Sequence, residues 1–295
     1  MSEAKPGSAV TAGDELELID VRHLGRERVI CCARIGDVIV DPGPECASAN
    51  LLQALDGFVP RAILLTHIHL DHAGATGALV RRWPDVEVWV HERGAAHVID
   101  PSKLVSSATR LYGADMQRLW GDIVAVPERN VRVLQGGERI GPWSVEYAPG
   151  HAQHHVAYLH EPTGTAVCGD VAGVKIGGGP VLPPTPPPDI DVDAWMMSID
   201  VIEAWSPARL VLTHFGVADD PPAHLAELRG NLERFAQLAR DLDSASFEAS
   251  VRAEIESMSS ARDAASFLQA MPPETLWSGL DRYWRRRATG GSATT

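Results

Sequence analysis

The run His67-Ile68-His69-Leu70-Asp71-His72 packs three imidazoles and a carboxylate into six residues, directly after the apolar stretch Ala62-Ile63-Leu64-Leu65-Thr66. On an extended backbone successive side chains alternate faces, so His67 and His69 share one face, and a turn beyond them brings Asp71 and His72 to a neighbouring position. Such a density of titratable groups at a strand end has no ready structural explanation. Imidazole and carboxylate are the ligand types preferred by borderline divalent metals such as zinc, and one tight turn can aim several of them at one point.

A metal site draws further ligands from elsewhere in the fold. Three isolated residues fit: His151 in Pro149-Gly150-His151, Asp170 in Cys168-Gly169-Asp170, and His214 in Leu212-Thr213-His214. Each follows an apolar strand-like run and has a glycine beside it or one residue away, which lets the backbone turn sharply. Taken singly, each reads as an ordinary turn, cap or hydrogen-bonded residue. Taken with the first cluster, they read as a metal-binding set.

Around these points the chain alternates short strands and helices. Strand-like runs fall at 16–24, 28–40, 62–66, 86–90, 131–134, 143–148, 157–160, 166–168 and 210–213, with helices near 47–55, 74–82 and 192–205. Residues 1–14 and 291–295 read as polar tails, 15–218 as the main domain, and 219–290 as helices packed on it. In that last segment Leu225, Leu228, Leu232, Phe235, Leu238 and Leu242 form one apolar stripe, suited to packing on the parent domain or to a homodimer contact. Segment 100–130 reads as a helical insertion with its own apolar face, or as a lid over a catalytic edge. The proline run from Pro183 to Pro188 reads as a rigid connector or a substrate-lining loop. The cluster Arg282, Arg285, Arg286 and Arg287 reads as a solvated face, and His23, His97, His160 and His224 as surface residues.

Charge and cysteine usage narrow the class. The formal net charge of −13 repels phosphate backbones and anionic lipid, so neither nucleic acid nor membrane is an expected partner. The N-terminal segment lacks a basic start and apolar run, no window is apolar enough to span a bilayer, and the four cysteines form no disulfide framework. A cytoplasmic protein acting on a small molecule is the expectation.

The string His67-x-His69-x-Asp71-His72, followed in order by a Gly-His, an Asp and a Thr-His, resembles the metallo-β-lactamase superfamily over roughly 16–216. The resemblance implies an α/β fold, a four-layer αββα sandwich of two mixed sheets with the metal site at one edge. It implies two divalent ions, zinc first with manganese or iron as alternatives: His67, His69 and His151 on one, Asp71, His72 and His214 on the other, Asp170 bridging. Asp71 is then also a candidate for proton handling. Asp41, in Asp41-Pro42-Gly43, matches a family position near the site, where it would orient a ligand or simply cap the turn. His91 matches a position near the cleft, and His154 and His155 suit hydrogen bonding behind the ligands or plain packing.

Two metals can lower the pKa of a shared water toward neutrality and polarise a substrate oxygen. An aspartate at 170, where β-lactamases of the family often have cysteine, points to its thioesterase, lactonase and phosphodiesterase branches. Glyoxalase II-like enzymes usually carry histidine where Ile68 stands, and the acidic charge disfavours RNA phosphodiesters. The expectation is a hydrolase of a small ester, thioester or lactone; a mononuclear-iron dioxygenase of the same fold or a phosphodiesterase is the alternative.

Overall fold

The computed structural model describes residues 15–289, so the expected tails 1–14 and 291–295 lie outside the described residues. The first half of the chain builds one sheet from β1 (Leu16–Asp20), β2 (Cys31–Ile35), β3 (Val38–Val40), β4 (Ala62–Leu64), β5 (Glu87–His91) and β6 (Val131–Leu134), in that spatial order. Pairing is antiparallel from β1 to β3 and parallel from β3 to β6. The second half builds β7 (Arg139–Ile140), β8 (Trp143–Tyr147), β9 (Val156–His160), β10 (Thr165–Val167), β11 (Arg209–Leu212) and β12 (Gly216–Ala218), again in sequential order. There only β10 and β11 pair in parallel.

Side-chain alternation makes four layers. On β4, Ala62 and Leu64 face the second sheet and join Val38, Val40, Trp89, Val145, Val156, Tyr158 and Val211 in the central core. Ile63 and Leu65 point the other way, into a cluster with α1 (Ser48–Leu55), α3 (Thr76–Arg82) and α4 (Glu92–Ile99); the short α2 (Leu70–Ala73) lies at the strand ends. The outer face of the second sheet, through Ala157, Ala166, Leu210 and Leu212, is covered by α7 (Val192–Ala204), α8 (Pro221–Asp241), α9 (Ser244–Met258), α10 (Ala261–Ala270) and α11 (Pro273–Ala288). The result is an αββα sandwich with a C-terminal helical layer.

The stripe Leu225, Leu228, Leu232 and Phe235 on α8 lies in that outer core with Trp195, Phe247 and Phe267, covered by the chain itself. Between β5 and β6 run α5 (Ser102–Tyr112) and α6 (Met116–Trp120). Helix α5 has no fully buried residue, but its Leu104 packs, partly buried, against the outer core of the first sheet and its Tyr112 meets Trp120 of α6 edge-on at 5.2 Å; α6 buries Trp120. No helix among the described residues is long and apolar enough to cross a membrane.

Two expectations need correction. The strand expected over 16–24 ends at Asp20, because its carboxylate accepts from Arg22 N–H (2.9 Å) and Arg28 N–H (2.7 Å) and closes a turn whose Arg22 and Leu24 have φ of 50° and 54°. His23, His160 and His224 are buried, not surface residues. Each imidazole finds a polar partner inside: Leu119 O for His23, Thr163 Oγ1 for His160 and Ala172 O for His224.

The fully buried Trp89 spans the inter-sheet core from β5. Trp89→Ala is expected to cost about 3–5 kcal/mol of folding stability by transfer and cavity terms. A denaturant midpoint unchanged from that of the parent would contradict this role.

Candidate metal centre

Strand direction brings the expected ligands together. Strands β8 and β10 are both antiparallel to β9, and β11 is parallel to β10, so the C-terminal ends of β8, β10 and β11 share one edge. His151, Asp170 and His214 follow those three ends, and the His67–His72 turn follows β4 in the facing sheet. Backbone bonds tie the edges: Val156 N–H donates to Thr66 O (2.8 Å) and Cys31 N–H to Thr213 O (2.8 Å). Gly150, at φ 134°, allows the turn into His151 with the Trp195 backbone packed against it, where a Cβ would lie 2.4 Å from Trp195 Cα.

All seven residues converge, in two groups. His67, His69, His151 and Asp170 present ligand atoms within 4.8 Å of one another, and so do Asp71, His72 and His214. His67 Nε2 and His151 Nε2 each lie 2.9 Å from His69 Nδ1. Asp170 faces both groups: its Oδ2 is 3.3 Å from His151 Nε2, and its Oδ1 is 3.3 Å from His72 Nε2 and 3.5 Å from His214 Nε2. Asp71 Oδ2 sits 3.3 Å from His214 Nε2.

The outer ring nitrogens are held from behind, which aims the others inward. His72 Nδ1 donates to Asp41 Oδ2 (2.8 Å), His151 Nδ1 to Pro184 O (2.9 Å) and His214 Nδ1 to Val29 O (2.6 Å). Buried Asp41 also accepts from Thr66 N–H (2.8 Å), Thr66 Oγ1 (2.6 Å) and Thr213 Oγ1 (3.0 Å). Because the Thr66 hydroxyl proton goes to Asp41, the 3.1 Å contact of Thr66 Oγ1 with His67 Nδ1 is one in which the imidazole donates, leaving His67 Nε2 a free lone pair.

Electrostatics separate the two groups. Burial disfavours every imidazolium here, and for His67 it is reinforced by His72, His69 and His151, so its pKa falls well below the ordinary value. Burial likewise lowers His69 and pushes His151 down to about 4, with Asp170 opposing in both. For His72 the burial penalty is outweighed by Asp170, Asp71 and Asp41, and for His214 by Asp170 and Asp71, so both are raised. Asp71 and Asp170 are held below the usual carboxylate range because His72 and His214, with His151 beside Asp170, overcome the opposing burial.

The donor set fits a divalent cation. Asp170 Oδ1 and His72 Nε2 are buried and lack hydrogen-bond partners although they face each other. A cation between them would satisfy both, and imidazole with carboxylate is the ligand chemistry such ions take.

Other residues were less legible. Thr66 and Thr213 matter through their hydroxyls, and the signal available was the repeated Thr-His pair at two strand ends. His155 is fully buried, stacks on His67 at 4.9 Å and has no hydrogen bond at either ring nitrogen; His154 stacks on the same ring at 6.1 Å and accepts from Ile68 N–H. His91 joins neither group: it caps α4 and stacks on Tyr147 at 4.4 Å. From the 100–130 segment Tyr112 comes within electrostatic reach of Asp71, and its phenol is raised by burial with that carboxylate adding to it.

The family model for the metallo-beta-lactamase superfamily matches residues 36–214, more than half of the chain. The chain belongs to the metallo-beta-lactamase superfamily. It is 32% identical over 136 residues to the probable metallo-hydrolase YqgX of Bacillus subtilis, covering 45% of this chain and 60% of that protein. It is 33% identical over 146 residues to a hydroxyacylglutathione hydrolase of Thermosynechococcus vestitus, covering 48% of this chain and 44% of that protein. The chain thus spans about half the length of the curated relatives it matches. Among solved structures, an archaeal metallo-beta-lactamase superfamily protein from Sulfolobus tokodaii superposes with a TM-score of 0.67 at 23% identity, over 90% of this chain and 97% of that one. TTHA1623, solved in a di-iron-bound form, superposes at 0.50 with 28% identity, over 65% of this chain and 88% of that one. Membership of this superfamily and the two His/Asp groups together indicate divalent-metal binding.

Asp41→Asn replaces an acceptor with a group that must donate into a ring of donors. It is expected to weaken metal binding by about 10–100-fold and folding by about 1–3 kcal/mol. Chelator competition and denaturant titration check both, and wild-type values in the two assays would remove Asp41 from its orienting role.

Proposed function

We propose that the protein is a dinuclear metallohydrolase acting on a small ester, thioester or lactone. His67, His69 and His151 would hold one ion, Asp71, His72 and His214 the other, and Asp170 would contribute to both; zinc is the ion favoured, with manganese or iron as alternatives. The observation that carries the reading is Asp170, whose two oxygens face the two groups separately at 3.3 Å.

Bound in this site, the ions supply a nucleophilic water at neutral pH and a Lewis acid for the substrate oxygen. The protein's part is preorganisation. The depressed pKa values of His67, His69 and His151 keep these imidazoles neutral and ready to ligate at pH 7. Asp71 and Asp170, which face His72 and His214, supply the negative charge that a cation there would balance. Asp71, whose side chain is 21% exposed against 5% for Asp170, is the carboxylate placed to exchange a proton with a departing alcohol or thiol. Similarity to hydroxyacylglutathione hydrolases favours a thioester within this range. The net charge of −13 favours a small substrate over nucleic acid.

The test pairs metal content by elemental mass spectrometry, on protein purified without added metal, with lactone, thioester and phosphodiester reporters. Close to two ions per chain and turnover of a thioester or lactone are expected, and Asp170→Ala and His69→Ala should each lower metal content and reduce turnover by about a thousandfold or more. One iron per chain with oxygen consumption and no hydrolysis would replace this reading with a dioxygenase.

A further inference from the structure

We infer that α11 is a positioning element for His151, acting through the proline strap that runs from Pro183 to Pro188; the inference rests on the metal-centre reading above. One side of the strap carries Pro184, whose buried carbonyl accepts from His151 Nδ1 at 2.9 Å and so fixes the tautomer that leaves Nε2 facing His69 and Asp170. The other side is seated on α11. Thr185 Oγ1 donates to Leu276 O (3.1 Å), Arg282 Nε donates to Pro188 O (3.0 Å), and the strap lies so close to Gly279 that a Cβ there would fall 2.1 Å from Thr185 O and 2.9 Å from the Pro186 carbonyl carbon.

The sequence makes this contact consequential. Five of the six strap residues are proline, each with φ locked near one value, so the strap has little local freedom to absorb a push from α11. A displacement at Thr185 reaches the adjoining Pro184 carbonyl. His151 has a second support in Trp195, whose ring meets it edge-on at 5.6 Å while its indole N–H donates to Val171 O. The strap is thus the route by which a helix more than a hundred residues downstream in sequence sets the direction of a ligand nitrogen.

The test uses the full chain with cobalt(II) as the probe, its affinity measured by chelator competition and its ligand field by visible absorption. Gly279→Ala forces the strap to move, and Thr185→Val removes its hydrogen bond to α11 without adding bulk. Each is expected to weaken cobalt binding about tenfold and to shift the absorption band. Val251→Ala on α9, buried in the same outer core but not in the strap, serves as a control that lowers the unfolding midpoint while leaving cobalt affinity at the wild-type value. Should Gly279→Ala fail to fold, Thr185→Val decides. Wild-type cobalt affinity in the folded strap variants, or an equal loss in Val251→Ala, overturns the inference. His151→Ala separates the two levels: unchanged affinity there would overturn the metal-centre reading itself, whereas its loss beside intact strap variants would overturn only the role of α11.

Discussion

The carboxylate of Asp41 is the hub on which the metal centre depends. Standing at the end of β3 with φ of 49°, it is buried and accepts four hydrogen bonds, two from Thr66 and one each from Thr213 and His72. Charge-assisted bonds of this kind are stronger than neutral ones, and a buried carboxylate left without them would carry a large desolvation penalty. Its acceptors act on both metal groups. Through the Thr66 hydroxyl it sets the tautomer of His67, directly it sets that of His72, and through Thr213 it anchors the strand end that delivers His214.

The same hub joins the two sheets. Asp41 and Thr66 belong to strand ends of the first sheet and Thr213 to one of the second. Nearby, Tyr158 donates its hydroxyl proton to Leu65 O at 2.8 Å and Val156 N–H donates to Thr66 O, so the apolar interface around Trp89 and Tyr158 continues into a polar seam at the site. Closely packed interiors transmit small shifts because they have few voids to absorb them. Sheet packing and ligand geometry are therefore one problem here, and the outer helices bear on it through Trp195 and the strap.

Within the centre the two halves hold charge differently. The first group loses protons to burial and mutual imidazole repulsion, which leaves lone pairs ready to ligate. In the second, carboxylates outweigh burial: Asp170, Asp71 and Asp41 raise His72, and Asp170 and Asp71 raise His214. Asp170 lies between these halves with one carboxylate oxygen facing each, and its unpartnered Oδ1 is the clearest sign that a positive charge belongs there.

Much of this was legible from residue order. The run from His67 to His72 and the isolated His151, Asp170 and His214 stand out because metal ligation demands particular side chains, and a strand followed by a tight turn is a local feature that glycine and alternation reveal. The four layers followed from the resemblance that those residues carried. Burial of His23 was not legible, because it comes from a hydrogen bond to Leu119 and stacking on Trp120, nearly a hundred residues away. Nor were the Thr66 and Thr213 hydroxyls, whose role depends on a carboxylate reaching both from β3. The sequence by itself determined which side chains are available to ligate and at which strand ends they stand. Only the tertiary structure decided which nitrogen each imidazole offers, what holds it there, and that the proline strap carries α11 to His151, because those outcomes depend on strand direction and on contacts between distant segments.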